Sequence, residues 1–243
     1  MRITRVFQPV ALTSGANLKL DEHASHHLAH VLRIKVCAAL VLFNGDGGEY
    51  SAQVQSISKQ GVVVEVGARS APLRESKLET VLAQGVSRGE RMDYTLQKAV
   101  ELGVSRIVPL LTEHTMVNVS GERRERRAQQ WQRIVVSACE QCGRNVVPKL
   151  DTLCEFDTWL KEAAGSLKLV LHQDGEKRLS ELPLPFGAVT LLVGPEGGLS
   201  DAEVVRAQAV GFTVLRLGPR ILRTETAGVA ALAALQARWG DLC

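Results

Sequence analysis

The chain has 243 residues, 45% of them hydrophobic and 23% charged, an ordinary globular composition long enough for one large domain or two. With 29 Lys+Arg against 26 Asp+Glu the net charge is only +3, too mild to announce a nucleic-acid partner, so the distribution of charge must carry that question. The start, MRITRVFQPV, has no leader-like apolar core, no apolar run reaches the roughly 18 residues of a membrane span, and five scattered cysteines make no disulfide framework; the expected setting is a reducing cytoplasm.

Residues 1 to about 70 read as mostly β: LVLFNG and GVVVEVG are short β-branched runs bounded by glycine, and NGDGGEY supplies hairpin turns. One helical segment, DEHASHHLAHVLRI, interrupts them, and RSAPLRESK follows as a polar, proline-bearing linker. From Leu78 onward strands and helices alternate. LETVLAQGV is a predicted strand, and RMDYTLQKAVELG a helix with Met92, Leu96, Ala99 and Val100 at apolar spacing and Gly103 as its stop. Next come strand VSRIVPL, a long helix over about 122–143, a short one over about 156–164, and strand LKLVLH. Strand AVTLLVG, a helix near 201–210, strand TVLRLG and a last helix ending near Trp239 complete the series. This alternation predicts a mostly parallel sheet covered by helices.

Two connections stand out. In LLVGPEGGLSDAEV, Ser200 and Glu203 have capping-box spacing, with Leu199 and Val204 at the staple positions, so the loop leads into a well-defined helix start. GPEGG lacks the G-x-G-x-x-G spacing, no G-x-x-x-x-G-K-[ST] occurs, and Glu196 would repel a phosphate. A plain tight turn and a ligand loop both stay open. In RLGPRILRTETAGVAALAALQARWG, Gly228, Ala230, Ala231, Ala233 and Ala234 keep the last helix slim. Arg220, Arg223, Thr224, Glu225 and Thr226 crowd polar groups at its mouth beside the apolar Ile221-Leu222 pair, a mixture that suits a pocket.

GPEGGLS..E followed by LGPRILRTETA resembles the C-terminal signature of the ribosomal RNA small subunit methyltransferase E family, and SRGERMDYTLQKAVELGV, QQWQRIVVSACEQCGR, RVF and HVLR resemble the same family in order along the chain. The resemblance implies an α/β SPOUT domain over 73–243, with a mostly parallel sheet and a deep trefoil knot, an exception to the rule against knots. It implies a PUA-like RNA-binding β-barrel over 1–72, methylation of N3 of a uridine in 16S ribosomal RNA of the small subunit, and a homodimer without membrane association. It implies S-adenosylmethionine as cofactor, held in the knot by Leu171, His172, Gly194, Pro195, Glu196, Gly197, Gly198, Leu217, Gly218, Ile221 and Leu222. Glycines let backbone approach such a ligand closely.

Uracil N3 attacks only once its proton leaves, so the chemistry needs a base or a cationic environment that stabilises the uracilate, and donors for the charge developing on O2 and O4. Arg223 is the candidate for stabilising that charge, with Thr224 and Thr226 as further donors; for Glu225 three roles stay open, the base, an anchor for Arg223 or a cap of the helix. For RNA, ERRERRAQQWQR holds five arginines against two acids, with Trp131, Ile134, Val135 and Ala138 on the inward face. Arg123, Arg124, Arg126 and Arg127 are its expected phosphate contacts, joined by Arg144 in EQCGRN and by Arg2, Arg5, Arg33 and Lys35. His23, His26, His27 and His30 share a helical face, but no carboxylate or cysteine completes a metal site and the family uses none. CEQC, inside a helix pattern without a second pair, reads as buried thiols. An open-sheet enzyme using a nucleotide cofactor, a silent RNA-binding protein and a knotted methyltransferase with another acceptor stay as alternatives.

Overall fold

The computed structural model of the chain describes residues 3–117 and 121–242, so Arg2 lies outside the described residues. Contacts divide the chain into two compact units, Met1–Glu75 with Cys139–Val147, and Ser76–Ala138 with Pro148–Cys243.

In the first unit, β1 (Thr4–Phe7), β2 (Asn17–Lys19), β3 (Ala39–Phe43), β4 (Glu49–Ser58) and β5 (Gly61–Ser70) form one sheet in the order β1-β3-β4-β5-β2. Only β1 and β3 pair parallel. Tyr50, Ala52 and Val54 of β4 and Val62, Val64 and Val66 of β5 alternate inward onto Leu28, Leu40 and Leu42, the pattern of a sheet with one face in the core. Gln8 and Asp21, just past β1 and β2, bring the two ends of this sheet path together. The Gln8 carboxamide donates to the Asp21 carboxylate at 2.7 Å and accepts the Asp21 N–H at 3.0 Å.

Asp21 also caps α1 (Glu22–His26) by accepting the Ala24 N–H at 2.8 Å. The helix predicted over this stretch is shorter than its sequence pattern and widens into π-helical turns over His27–Val31. All four histidines are exposed, and the His26 and His30 rings lie 4.8 Å apart. Among the described residues no three His, Cys, Asp or Glu are arranged to hold a metal ion.

Residues 139–147 meet this unit through ion pairs and hydrogen bonds rather than through a strand. Arg5 is half-buried and bonds Glu49, the Asn145 side chain and the Arg144 carbonyl. Arg144 is buried and donates through Nη2 and Nε to one Glu75 oxygen at 2.7 and 2.8 Å, while the second oxygen accepts the Asn145 and Val146 N–H groups. Both guanidinium groups proposed for RNA are thus engaged inside the unit. Removing one partner of such a pair strands a buried charge. Glu75→Ala is therefore expected to destabilise the protein by about 3 kcal/mol, read as a lower urea midpoint; an unchanged midpoint would mean solvent reaches Arg144. Glu140 accepts the Phe7 N–H at 3.0 Å, and burial pushes its carboxyl above the usual range. Cys139 is buried with its thiol pushed up to about 12, while Cys142 is half-buried.

The second unit runs β6 (Thr80–Gly85), α2 (Glu90–Glu101), β7 (Arg106–Leu111), α3 (Glu122–Cys142, its last turn counted with the first unit), β8 (Lys149–Leu150), β9 (Cys154–Glu155), α4 (Phe156–Glu162), β10 (Leu167–Leu171), β11 (Val189–Val193), α5 (Asp201–Ala209), β12 (Thr213–Leu215) and α6 (Thr224–Trp239). The sheet order is β12-β10-β11-β6-β7-β8, with β9 also on β7 and every ladder parallel. β11, VTLLV, is buried along its whole length, as a strand covered on both faces must be. α6 packs against α2 and over Leu82 and Val193, while Phe156, Trp159, Val204 and Phe212 cover the face carrying Ala83, Val170 and Leu192. Trp131, Val135 and Ala138 bury one side of α3 and leave its arginines outward. No helix among the described residues is long and apolar enough to cross a membrane.

Candidate active site

The carboxyl ends of β10, β11 and β12 open onto one cavity of about 690 Å³, where an open parallel sheet is expected to take its ligand. Register brings these ends level: Leu171 pairs with Leu215, Val170 with Leu192, and Val193 with Gln84 of β6. The segments 171–174, 193–199 and 215–225 form its walls, with Arg91 from the first turn of α2.

The loop after β11 is held from both sides. Gly198 N–H closes a turn onto the Pro195 carbonyl at 2.9 Å, and the capping box then starts α5: Ser200 Oγ accepts the Glu203 N–H at 3.2 Å and Glu203 accepts the Ser200 N–H at 2.9 Å. Leu199 and Val204 are both buried, as the staple requires. On the other side the loop leans on backbone. A Cβ on Gly194 would stand 2.7 Å from the Gly198 carbonyl carbon, and one on Gly85 would stand 2.6 Å from the Pro195 nitrogen. The His114 ring nitrogen meets the Gly197 carbonyl at 3.0 Å.

Two carboxylates of the cavity wall, Glu196 and Glu225, face Arg91. Glu196 Oε1 accepts the Arg88 N–H at 2.8 Å and Arg91 Nη1 at 2.9 Å. Partial burial works to raise the Glu196 carboxyl, but these hydrogen bonds outweigh it and hold the group below the usual range. Its folded value being depressed, the stabilisation it adds is present at neutral pH and is lost only as pH falls through that lowered value. Arg91 Nε also lies 4.0 Å from Glu225 Oε2, a buried oxygen that accepts no hydrogen bond. Glu225 sits in the first turn of α6, where the helix dipole favours an anion. His172 Nδ1 accepts the Asp174 N–H at 3.4 Å, and Arg216 Nε donates to the Gly218 carbonyl at 3.0 Å.

All eleven residues expected to hold a cofactor, Leu171, His172, Gly194, Pro195, Glu196, Gly197, Gly198, Leu217, Gly218, Ile221 and Leu222, line this cavity, as do Arg223 and Glu225. Thr226 is not among the lining residues; its N–H donates to the Arg223 carbonyl at 2.9 Å. Thr224 lines it, but its hydroxyl proton is committed to the Gly194 carbonyl at 2.6 Å and is not available to a substrate. Sequence reasoning missed Arg91, Gln173, Asp174 and Arg216, and also Gln84 behind the wall. For Gln84 a signal existed, a long polar side chain inside an apolar strand. Of the residues expected to meet RNA, Arg5, Arg33, Lys35 and Arg144 belong to the first unit and Arg123, Arg124, Arg126 and Arg127 to the second. Arg33 and Lys35 are exposed, Arg33 with a left-handed φ of 50°. Arg124 bonds the Leu153 carbonyl, and Arg126 pairs with Glu122 at 3.2 Å.

Comparison with known proteins gives matching relatives along the whole chain. Residues 74–236 match the model of an RNA methyltransferase domain, and residues 20–67 that of an RNA methyltransferase PUA domain. A ribosomal RNA small subunit methyltransferase E from Buchnera aphidicola is 34% identical over 99% of this chain and 98% of its own. Another from Bacillus subtilis is 31% identical over 86% of both chains. Among solved structures, a putative methyltransferase from Legionella pneumophila with bound S-adenosylmethionine superposes with a TM-score of 0.97 at 42% identity over all of both chains. A ribosomal RNA small subunit methyltransferase E from Neisseria gonorrhoeae, bound to the same cofactor, gives 0.93 at 37% over all of both.

Proposed function

The chain belongs to the ribosomal RNA small subunit methyltransferase E family, and from that premise we propose that its cavity binds S-adenosylmethionine and serves methylation of N3 of one uridine, position 1498, in 16S ribosomal RNA. The observation that carries this reading is the convergence of the eleven residues expected to hold the cofactor, with Arg223 and Glu225, on one glycine-walled cavity. The cavity residues fit the donor. About 690 Å³ suits a ligand of that size, Gly194, Gly197, Gly198 and Gly218 leave parts of the wall as bare backbone, and Glu225 offers a buried carboxylate oxygen still without a hydrogen bond that would suit a cationic ligand. When bound, the cofactor supplies an electrophilic methyl group on a positively charged sulfur.

Residues 194–198, with Leu171, His172, Leu217, Gly218, Ile221 and Leu222, hold that donor. Glu225 takes the proton from uracil N3, and Arg223 donates to the uracil oxygen on which charge then gathers. Arg91 fixes Glu196 and faces Glu225, keeping both carboxylates in place. Thr226 acts through its backbone bond to Arg223. Residues 73–243, apart from the stretch 139–147 that packs with the N-terminal unit, form the catalytic SPOUT domain, knotted at the cavity, and residues 1–72 an RNA-binding barrel; the matches to an RNA methyltransferase domain over 74–236 and to a PUA domain over 20–67 support this division. The setting is the cytoplasm, where the small ribosomal subunit is found.

Arg33, Lys35 and the α3 arginines meet RNA phosphates, while Arg5 and Arg144 serve by holding residues 139–147. RNA affinity is then expected to fall steeply with salt, and replacing Arg123 and Arg127 together by alanine to flatten the log–log slope by about 1.5, from roughly 0.7–0.9 per phosphate contact. An unchanged slope removes α3 from the interface. Half-buried small residues along α6, Val229, Ala230, Ala233 and Ala234, support close packing of a second copy. Sedimentation at micromolar concentration is expected to give a dimer, and a monomer there ends that part of the reading.

The deciding experiment is transfer from labelled S-adenosylmethionine to unmodified small subunits and to their naked RNA, followed by nucleoside mass spectrometry. The expected product is 3-methyluridine. A methylated ribose or another base would reassign the acceptor, and RNA binding without any label would make this a silent binder.

A further inference from the structure

Gln84 is fully buried in β6, one residue before the strand ends at Gly85. A glutamine in a strand covered on both faces needs a compensating role, because an unsatisfied carboxamide there costs about 1–3 kcal/mol. Its Nε2 lies 3.0 Å from the Gly85 carbonyl, 3.2 Å from the Gly194 carbonyl and 3.0 Å from Thr224 Oγ1. Thr224 in turn donates to the same Gly194 carbonyl at 2.6 Å. The amide orientation follows from these partners, since an oxygen in the Nε2 position would face two carbonyls. The amide oxygen is left without a donor, and it lies 3.2 Å from where a Cβ on Gly228 would stand. Helix α6 thus comes close against this side chain at a position without a side chain of its own.

We propose that Gln84 and Thr224 are positioning residues, a hydrogen-bonded clasp that locks the loop opening at Gly194 to the N-terminus of α6; this rests on the reading of the cavity as the methyl-donor site. Gly194 begins the loop that holds the donor, and Thr224 stands between Arg223 and Glu225, the residues placed on the uracil. The clasp therefore ties the donor side of the reaction to the acceptor side through two side-chain-to-backbone bonds onto the Gly194 carbonyl and one side-chain bond between Gln84 and Thr224. Hydrogen bonds are directional where apolar packing is not, so they hold the two sides in one register as well as in contact.

The test titrates full-length protein with S-adenosylmethionine by calorimetry, at a temperature where circular dichroism shows every variant folded, and measures KM and kcat alongside. Thr224→Val keeps shape and loses the hydroxyl; it is expected to weaken donor binding about tenfold and to lower kcat about tenfold. Thr224→Ser, which keeps the hydroxyl, should stay within about twofold of wild type. Gln84→Met should match Thr224→Val, and the double variant should be little worse than either single, because both remove one clasp. RNA affinity should not move. Wild-type donor affinity and kcat in Thr224→Val, or fully additive singles, overturn the clasp while leaving the donor site standing. Failure of the wild type itself to bind S-adenosylmethionine overturns the donor reading and the clasp with it.

Discussion

Replacing Arg223 by alanine is expected to lower kcat for methyl transfer by about 10²–10³-fold, the usual cost of losing one donor to a developing anion, with the dissociation constant of S-adenosylmethionine changed by no more than about threefold. The substitution isolates the side chain. Arg223 caps α6 through its backbone, whose carbonyl accepts the Thr226 and Ala227 N–H groups at 2.9 and 2.8 Å, and its side chain makes no cap bond. Alanine keeps those backbone bonds, so the helix start and the neighbouring Thr224 and Glu225 should hold their places. Steady-state kinetics with ribosomal subunits and calorimetry with the donor alone separate the outcomes. Full turnover in the variant would remove Arg223 from the chemistry. Weakened donor binding with unchanged kcat would make it a cofactor contact.

Gly85→Ala is expected to weaken donor binding by about 10–100-fold and to destabilise the fold by about 1–3 kcal/mol, from overpacking against atoms that cannot turn away. The obstacle is backbone: the new Cβ would stand 2.6 Å from the Pro195 nitrogen and its ring Cδ, and 3.0 Å from the Gly194 carbonyl carbon. Gly85 has no positive φ, so the conformation itself suits alanine and the effect is steric alone. Relief requires residues 194–198 to move away from β6, toward the cavity they wall. Calorimetry and thermal melting check both parts. Wild-type affinity together with a wild-type melting temperature would mean the loop is free to shift, and its role in shaping the cavity would fall.

Much of the fold was readable because its signals are local. The apolar spacing of Met92, Leu96, Ala99 and Val100 marks α2 within one helix, and the Ser200–Glu203 pair marks the start of α5 within four residues. The short strand β9 and the π-helical turns after His26 were not read, the first because two residues carry no period, the second because a helical pattern does not announce its hydrogen-bond spacing. The cavity residues were identified by resemblance of contiguous motifs. What those motifs did not reveal is which of their polar groups are already engaged: Glu196 by Arg91, 105 residues away, Thr224 by Gln84, 140 residues away, and Arg5 by Asn145, also 140 away.

The sequence by itself determined the longer strands and helices, their alternation, the parallel sheet they imply and the motifs that assign the family, since periodicity, caps and turn residues act over a few positions. Only the tertiary structure decided that residues 139–147 join the N-terminal unit, that Arg5 and Arg144 are engaged in ion pairs within it, and that Gln84 stands behind the loop at Gly194. Those outcomes depend on which distant groups meet out of reach of water, where a charge or carboxamide must find its partner in the protein because solvent no longer supplies one.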